Sequence, residues 1–350
     1  MRLRTMLALA PLVTLALGGA AAPSAGTVAH VSHDQSSTTV LQGILSRTEF
    51  STPAPAGFDS LAASNAQLEK YGLPLRPNPQ GSPQPAWWVN AIENAKTPVQ
   101  PQFEPLTTSD PPPPSSSIAV ATPSDQSAAK TSINWAGNIA INEDDYHAVN
   151  MTWTVPNVTG PSSGNAVSGI WDGLGAGYST SGELMQAGTE QDVEGGTPDY
   201  YVWWEIYPEY SQVRTNLSVE PGDVMYVNVQ YNLSKNQASF YIENETSGQY
   251  LPRFYETISG GTGGHKQAEW IAERTKVGSD YPPLAKWSPN PITLSGDTAT
   301  DSSITKDVAS WPHNEVTMVD PSNSSQTDAW PGPINSSGNA FPVHWSNFGS

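Results

Sequence analysis

Residues 224–231 read VMYVNVQY, in which apolar and polar side chains alternate. Successive side chains of an extended chain point to opposite sides, so this alternation separates two faces. One face carries Met225, Val227, Val229 and Tyr231, and the other carries Val224, Tyr226, Asn228 and Gln230. The stretch therefore predicts a β-strand with one face against a core.

Runs of β-branched and aromatic residues like this one recur from residue 132 onward, separated by turn signals. The clearest are AVNMTWTV (148–155), YYVWWEIY (200–207) and ASFYIENE (238–245). The last of these predicts a hairpin that turns at residues 245–248. No helical pattern lies between the runs, which favours an all-β antiparallel sandwich or barrel.

Residues 1–25 carry two arginines, an apolar run and small residues, MRLRTMLALAPLVTLALGGAAAPSA. This composition is typical of a secretory signal peptide, and its apolar run is too short to span a membrane. No later stretch reaches the roughly 20 apolar residues of a membrane helix. We therefore expect a secreted, extracellular protein with no membrane as partner.

Residues 26–125 have a different texture from the β-rich region. The stretch 64–71 predicts a short helix, and Pro85 can open a second one. The Pro/Ser run TTSDPPPPSSS (107–117) predicts an exposed linker. We interpret the whole segment as a propeptide that is cut at this linker, the alternative being a disordered stalk.

The chain has 33 acidic and 15 basic residues, a formal net charge of −18. Such an acidic protein repels phosphate backbones, which argues against nucleic acid as a partner. The chain contains no cysteine, and its 6 histidines show no metal-ligand spacing. No nucleophile elbow, DTG-like loop or phosphate-binding loop is present. We expect no metal and no cofactor, which leaves carboxylates, carboxamides and tryptophans for chemistry.

Short motifs in sequence order carry a resemblance to a known family. They are INWAGNIA (133–140), ELMQAGTEQ (183–191), YVWWEIYPEY (201–210) and AEWIAE (268–273). With WTVPNV, SGIWDGLG, VEPGD and KWSP in matching order, they resemble the glutamic peptidases, or eqolisins, which are secreted acid endopeptidases. The resemblance spans about residues 132–301, and residues 26–105 resemble the propeptide of bacterial members.

This resemblance implies an antiparallel β-sandwich of two packed sheets, concanavalin- or lectin-like, with a cleft on its concave face. It divides the chain into a signal peptide (1–25), a propeptide with its linker (26–125) and a catalytic domain (126–350). It also implies a catalytic Gln–Glu dyad that needs no cofactor. The dyad glutamine matches Gln186 in LMQAG, and the dyad glutamate matches Glu273 in AEWIAE.

Four further residues are candidates for the cleft or for support of the dyad: Trp135, Trp171, Glu205 and Glu269. The chain departs from the family pattern at one position. Fungal members carry Asp four residues beyond the second tryptophan, where this chain has Gly175. Asp172 replaces that carboxylate only if the loop is rearranged.

The stretch KQAEWIAERT (266–275) contains two candidate glutamates. Local propensity favours a helix here, whereas the resemblance implies a strand. In a strand, Glu269 and Glu273 share a face with Ile271 between them and lie roughly 13 Å apart, too far apart to grip one bond. The motif match selects Glu273 over Glu269, with Gln186 as its partner.

The residues alone also allow less specific interpretations. Gln186 fits an ordinary hydrogen-bonded strand position, and the tryptophans fit core positions. Glu205 fits a solvent-facing position between two apolar neighbours. The run Glu190, Asp192 and Glu194 predicts a solvated loop.

Two functions remain at this stage. The first is an acid-active endopeptidase that cleaves polypeptides as a monomer. It is made as a zymogen, with the 26–125 segment covering the cleft as an intramolecular inhibitor. The alternative is a carbohydrate-binding or glycoside-hydrolysing sandwich. A glycosidase needs two carboxyl groups about 5–9.5 Å apart, so this interpretation fails if Gln186 faces Glu273 with no second carboxylate at that spacing.

Overall fold

A computed structural model describes residues 35–106, 128–142, 144–162, 164–175, 183–258, 265–302 and 304–349. The predicted signal peptide (1–25) and the predicted linker (107–117) lie outside these residues. Within the described ranges, no helix is long and apolar enough to cross a membrane.

The N-terminal segment, defined here as residues 35–106, contains three α-helices and three short strands. They are α1 (Gln35–Leu45), β1 (Thr48–Phe50), α2 (Asn65–Lys70), α3 (Ala86–Asn94), β2 (Thr97–Pro98) and β3 (Phe103–Pro105). Both predicted helices are confirmed. Ser64 caps α2 in a capping box with Gln67, and α3 follows Pro85.

Strands dominate the rest of the described chain. The first nine are β4 (Ala128–Ser132), β5 (Trp135–Ile141), β6 (Ala148–Thr154), β7 (Asn157–Thr159), β8 (Gly169–Gly175), β9 (Leu184–Glu194), β10 (Thr197–Tyr207), β11 (Tyr210–Thr215) and β12 (Val224–Asn232). The others are β13 (Gln237–Asn244), β14 (Gln249–Thr257), β15 (Gln267–Glu273), β16 (Lys286–Ser288), β17 (Ile292–Thr300), β18 (Thr305–Asp307), β19 (His313–Asp320), β20 (Asn323–Pro331) and β21 (Ala340–Trp345), with a 3₁₀ helix at Val308–Ser310.

Most of these strands form the two sheets of a sandwich, nearly all of whose pairings are antiparallel. β7 pairs with β16 in a separate two-stranded sheet, and β18 pairs with β17. The front sheet runs β3-β11-β10-β9-β8-β15-β5-β19, with β4 parallel to β19. The rear sheet runs β21-β17-β6-β12-β13-β14, with β1 and β2 along β14. Strand β20 pairs with both β19 and β21 and so links the sheets. The predicted antiparallel β-sandwich is confirmed.

The core lies between the two sheets and takes one side of each strand. Met225, Val227 and Val229 of β12 point into it, as their alternation predicts. Trp204 and Trp270 enter the same cluster from the front sheet. KQAEWIAERT therefore contains a strand and not a helix, because Trp270 must face the core while its neighbours face away.

The N-terminal segment packs on the outer side of the rear sheet, here called the rear face. Its buried apolar residues are Ala63, Leu68, Leu73, Trp88, Ala91 and Ile92, and they contact Tyr226, Tyr241 and Tyr250. The apolar cluster on the opposite, outer side of the front sheet contains no residue of 35–106. The described part of the segment therefore differs from the expectation that it covers the cleft. An apolar helical face gains more by covering tyrosine rings than by covering carboxylates.

Candidate active site

The six residues that the sequence singles out lie on five neighbouring strands of the front sheet. They are Trp135 on β5, Trp171 on β8, Gln186 on β9, Glu205 on β10, and Glu269 and Glu273 on β15. Each of them is at most 2% exposed. Directly opposed residues of neighbouring strands point to the same side of a sheet, and the register links all six to the outer side, here called the front face.

Strand β8 makes room for these side chains, because three of its four positions on the front face are glycine. The four positions are Gly169, Trp171, Gly173 and Gly175. A Cβ atom at Gly173 would lie 3.0 Å from the Cβ of Gln186, and one at Gly175 would lie 2.5 Å from Oε1 of Glu269. The sequence GIWDGLG thus produces a trough that polar side chains of β9 and β15 fill.

The carboxylate of Glu273 is held by two donors from outside its own strand. Trp171 Nε1 donates to Oε2 at 2.7 Å, and Asn134 Nδ2 donates to Oε1 at 3.0 Å. The Ser132 hydroxyl donates to Asn134 Oδ1 at 2.9 Å and so fixes the orientation of that amide. Trp135 meets Trp171 edge-on, with ring centroids 5.1 Å apart. Burial raises the pKa of Glu273 to about 7, and the hydrogen bonds that it accepts oppose this rise.

Gln186 belongs to a second group of polar side chains on the same face. Its Nε2 donates to Oε2 of Glu205, the residue directly opposite on β10. An amide nitrogen carries two hydrogens, so this bond orients the amide and leaves a second donor. Glu205 is buried beside Gln186 instead of facing solvent.

Glu269 lies in the same cross-strand row as Gln186, with Gly173 of β8 between them. Its Oε2 is buried without a hydrogen-bond partner among the described residues. Burial, and to a lesser degree the charge of Glu273, raises the pKa of Glu269 to about 8. The two glutamates of AEWIAE share a face, as predicted, but Glu273 has fixed donors, whereas Oε2 of Glu269 has no hydrogen-bond partner among the described residues.

The structure therefore forms two groups on one face, Glu273 with its donors and Gln186 with Glu205. Glu273 lies four residues further along β15 than Glu269, the residue opposite Gln186. On a flat sheet this offset puts the Cα atoms of Gln186 and Glu273 roughly 16 Å apart, and those of Gln186 and Glu269 roughly 10 Å apart. The shorter Cα separation favours Glu269 as the partner of Gln186, whereas the hydrogen bonds from Trp171 and Asn134 favour Glu273.

Two residues of this site escaped prediction from the sequence. Asn134 stands beside Trp135 in INWAGNIA, and only its distance to Glu273 shows its role. Glu190 was expected in a solvated loop, but this expectation was wrong: β9 continues to Glu194, and Glu190 is 0% exposed. The pair Gly195 and Gly196, both at positive φ, makes the hairpin turn and was the available signal that the strand extends so far.

Glu190 lies in the same cross-strand row as Glu273, with Gly169 between them. Its carboxylate accepts hydrogen bonds from the hydroxyl of Thr275 and, at 3.4 Å, from Nε2 of Gln212. Burial raises its pKa well above the ordinary value, and the charges of Asp192 and Glu273 add to the rise. A further carboxyl group thus stands close to the proposed base.

Asp172 does not replace the carboxylate that is missing at Gly175. The alternation of β8 turns Asp172 away from the front face and into the core, opposite Trp270. Both of its carboxylate oxygens are buried without a hydrogen-bond partner in the described part of the chain. Burial, followed by the charge of Asp297, raises its pKa well above the ordinary value.

The front face offers buried carboxyl groups, an oriented carboxamide and indole donors. Such a set can exchange a proton with water and can donate hydrogen bonds to a polarised carbonyl oxygen. Within the ranges that the structure describes, no group of three histidine or carboxylate side chains is placed to bind a metal ion.

Known proteins match the sandwich part of the chain. A profile described as the Peptidase A4 family matches residues 133–329. Aspergillopepsin-2 of Aspergillus niger is 29% identical over 194 residues, which cover 49% of this chain and 67% of the relative. Scytalidopepsin B of Scytalidium lignicola is 30% identical over 203 residues, which cover 56% of this chain and 73% of the relative.

A solved structure supports the fold. It is that of scytalido-glutamic peptidase with a transition state analog inhibitor, and it superposes with a TM-score of 0.50 at 23% sequence identity. The superposition covers 61% of this chain and 98% of the solved chain. At this identity the likeness concerns the arrangement of the strands.

Proposed function

Because the chain belongs to the peptidase A4 family, it is a glutamic endopeptidase, and we propose that Glu273 and Gln186 are its catalytic dyad. The observation that carries the proposal is the environment of Glu273. A buried carboxylate with two fixed donors keeps one orientation and can accept a proton there. Membership of this family does not favour the carbohydrate alternative, although several carboxyl groups share the front face.

In the proposed hydrolysis, one proton moves from the attacking water to Glu273 and then from Glu273 to the leaving nitrogen. Ionised Glu273 takes a proton from a water molecule as the water oxygen attacks the carbonyl carbon of the peptide. The second N–H of Gln186 donates to the oxyanion that forms, and loss of such a donor typically costs about 3–4 kcal/mol of barrier. Protonated Glu273 then gives its proton to the leaving nitrogen as the C–N bond breaks, which yields a carboxylic acid and an amine.

The proposal requires the twist of the front sheet to bring the ends of the Gln186 and Glu273 side chains to one peptide bond, because neither group alone supplies both functions and roughly 16 Å between their Cα atoms on a flat sheet is too far. Glu205 acts on the substrate through Gln186, whose amide it orients. Trp171 and Asn134 hold Glu273 in the same way. Polypeptides are the substrates, and the protein acts as a monomer.

The working pH range is acidic. With its pKa at about 7, Glu273 is increasingly ionised as the pH rises through the acid range, so kcat/KM rises on this limb. The upper limit is set by buried carboxyl groups such as Asp172, whose ionisation the folded state resists. The first effect alone would let activity rise through neutrality, so the proposed acidic range depends on the second effect, the loss of stability as the pH rises.

We further propose that the protein is secreted and made as a zymogen. Residues 1–25 have the composition of a signal peptide, and the predicted linker at 107–117 is the expected site of cleavage. Inhibition by the 26–125 segment belongs to this proposal as a prediction, and we expect it to end when the linker is cut.

The experiment is cleavage of an unfolded protein substrate from about pH 3 to about pH 8, a range that spans the ordinary glutamate pKa and the raised pKa of Glu273 at about 7. Wild type is compared with Glu273→Gln, Glu269→Gln and Gln186→Ala. We expect Glu273→Gln and Gln186→Ala to lose activity and Glu269→Gln to keep most of it. Full activity in Glu273→Gln together with its loss in Glu269→Gln would transfer the role of base to Glu269.

A further inference from the structure

The N-terminal segment contacts the β-sandwich in three ways. It covers the rear face, it extends the edges of both sheets, and it places side chains in the sandwich core. We propose that residues 35–106 stay bound after the linker is cut, so that the active enzyme is a two-chain protein. This rests on the proposed function for the cut itself.

The first support is the apolar contact on the rear face. Leu68 and Trp88 are at most 1% exposed and pack against Tyr226 and Tyr241 of the rear sheet. Trp87 adds a ring stacked on Tyr226 at a centroid distance of 6.0 Å. Departure of the segment would expose these tyrosine rings, which form a contiguous aromatic surface of the kind that soluble monomers avoid.

The second support is the backbone pairing at both sheet edges. β1 and β2 pair with β14 of the rear sheet, and β3 pairs with β11 of the front sheet. Gly72, which lies between β1 and β2 in sequence, also bonds to β14: its carbonyl oxygen accepts a hydrogen bond from the backbone N–H of Arg253 at 2.8 Å. Without the segment, β11 and β14 would present long unpaired edges, which promote aggregation.

The third support lies inside the sandwich. Ile44 and Phe103 belong to the same buried cluster as the core of the two sheets. The ring of Phe103 lies 5.3 Å from that of Trp204 and 5.0 Å from that of Phe254, centroid to centroid. Removal of the segment would therefore leave cavities in the core and not only a bare surface, and cavities of this kind destabilise a domain.

These contacts explain why the segment does not have to leave for the enzyme to act. The residues on the rear face and those at the proposed dyad lie on outer sides of different sheets. Most of the contacts are apolar or between backbone groups. Because these groups do not titrate, we expect low pH to leave the contacts intact. The segment serves as a permanent subunit, and activation changes only the connection between the two chains.

The test is to cut the purified full chain at the linker, by acid incubation or with an added protease, and to verify the fragments by mass spectrometry. Gel filtration is then run at about pH 4, near the ordinary carboxyl pKa, and at about pH 7. We expect both fragments in one peak with the mass of a one-to-one complex at each pH. The proposal is overturned if the N-terminal fragment elutes alone while the sandwich remains a soluble, active monomer.

A matched pair of substitutions in the uncut chain gives a second measurement. Leu68 is 0% exposed on the rear face, whereas Leu61 is 44% exposed in the same segment. We expect Leu68→Ala to lower the Tm of the whole protein by roughly 5–10 °C, and Leu61→Ala to leave it nearly unchanged. Equal Tm values for the two variants would also overturn the proposal, because the segment would then not be part of the folding unit.

Measuring the proteolytic activity of the cut and uncut forms tests the two-chain enzyme separately from the proposed dyad. If no form of the protein, cut or uncut, cleaves polypeptides, the dyad assignment fails while the association of the fragments is still measured. If the cut protein is active only after the N-terminal fragment has been removed, the two-chain enzyme is refuted and the dyad is untouched.

Discussion

The front face and the rear face of the sandwich arise from the same alternation of side chains but are buried in different ways. On the front face, the side chains of Gln186, Glu269 and Glu273 are nearly inaccessible although they are polar. On the rear face, Tyr226 and Tyr241 are inaccessible because the N-terminal segment covers them. The front face therefore holds the polar groups of the candidate site, and the rear face holds an apolar contact that the fold completes. Burial also raises the pKa of Glu243 on the rear face, so the difference lies in what surrounds the carboxyl groups.

This difference between the two faces separates the groups proposed for catalysis from the contacts that stabilise the fold. Burial of carboxyl groups raises pKa values and works against stability as the pH rises, so such burial is retained where it serves chemistry. Burial of aromatic rings stabilises the fold at any pH. Substitutions that are chemically alike are therefore expected to have different consequences on the two faces.

The largest expected effect comes from the same change made on each face. Glu273→Gln on the front face removes the proposed base, and we expect kcat/KM to fall by about 10³–10⁴-fold. Glu243→Gln on the rear sheet also replaces a 0% exposed glutamate, one that accepts a hydrogen bond from the hydroxyl of Tyr241 at 2.8 Å. We expect this variant to keep its turnover number.

The measurement is kcat/KM for a peptide substrate, accompanied by the urea midpoint of unfolding for each variant. The amide in Glu273→Gln keeps the size of the side chain and can still accept a hydrogen bond from Trp171, but its nitrogen would face the donor Nδ2 of Asn134. We therefore expect its midpoint to fall modestly. Comparable losses of activity in both variants would show that glutamate burial in general, and not the front face, supports catalysis.

The sequence predicted most of this comparison, because its main signal is the alternation of strands. The strand at 224–231 and the hairpin turn at 245–248 are confirmed and rest on this signal. The strand in KQAEWIAERT is also confirmed, but the family resemblance implied it where local propensity favoured a helix. The shared face of Glu269 and Glu273 follows from the same period of two. These features depend on neighbours in sequence, which a pattern can capture.

The remaining features depend on contacts between distant parts of the chain. Tyr226 lies on the more polar side of its strand, and nothing near it in sequence indicates that Trp87 and Leu68 cover it. Glu190 was assigned to solvent because acidic runs are usually exposed, whereas tertiary packing places it beside β8 and Thr275. The register that offsets Gln186 from Glu273 is likewise fixed by pairing and not by local propensity.

A second, intermediate effect tests whether buried carboxyl groups work against stability at neutral pH. The pKa of Asp172 is raised well above its ordinary value by burial, and the charge of Asp297 adds to the rise. The unfolded chain releases this proton above about pH 4, whereas the folded chain retains it, so the contribution of Asp172 is complete in acid and is lost as the pH rises. The expected slope is about 1.4 kcal/mol per pH unit.

Asp172→Asn should remove this slope. We expect its free energy of unfolding to match that of wild type at about pH 4 and to exceed it increasingly up to pH 7, as urea titrations at each pH would show. The exposed Asp280 provides the matched control, and Asp280→Asn should parallel wild type throughout. A constant difference between Asp172→Asn and wild type at every pH would mean that Asp172 is ionised in the folded protein.

The smallest expected effect concerns the charged contact of the N-terminal segment. Arg47 pairs with Glu209, lies 3.8 Å from Oε1 of Glu256 and sits 4.8 Å above the ring of Tyr210. Its side chain is 30% exposed, so solvent screens the pair, and such pairs contribute roughly 0.2–1 kcal/mol. Glu256 also keeps hydrogen bonds from Thr48 and from the hydroxyl of Tyr210 when Arg47 is removed.

We therefore expect Arg47→Ala to lower the free energy of unfolding by about 1 kcal/mol or less, and to leave the segment docked. Burial raises the pKa of Glu256 to about 7, so in acid this carboxyl is protonated and the effect of the substitution should shrink. Arg214→Ala is the matched control within the sandwich, since Arg214 pairs with Asp199 at 3.3 Å and sits over Tyr201. Urea unfolding at about pH 4 and pH 7 measures both variants. If Arg47→Ala loses several times more unfolding free energy than Arg214→Ala and also releases the segment, then the charged contact, and not the aromatic contacts, keeps the segment bound to the rear face.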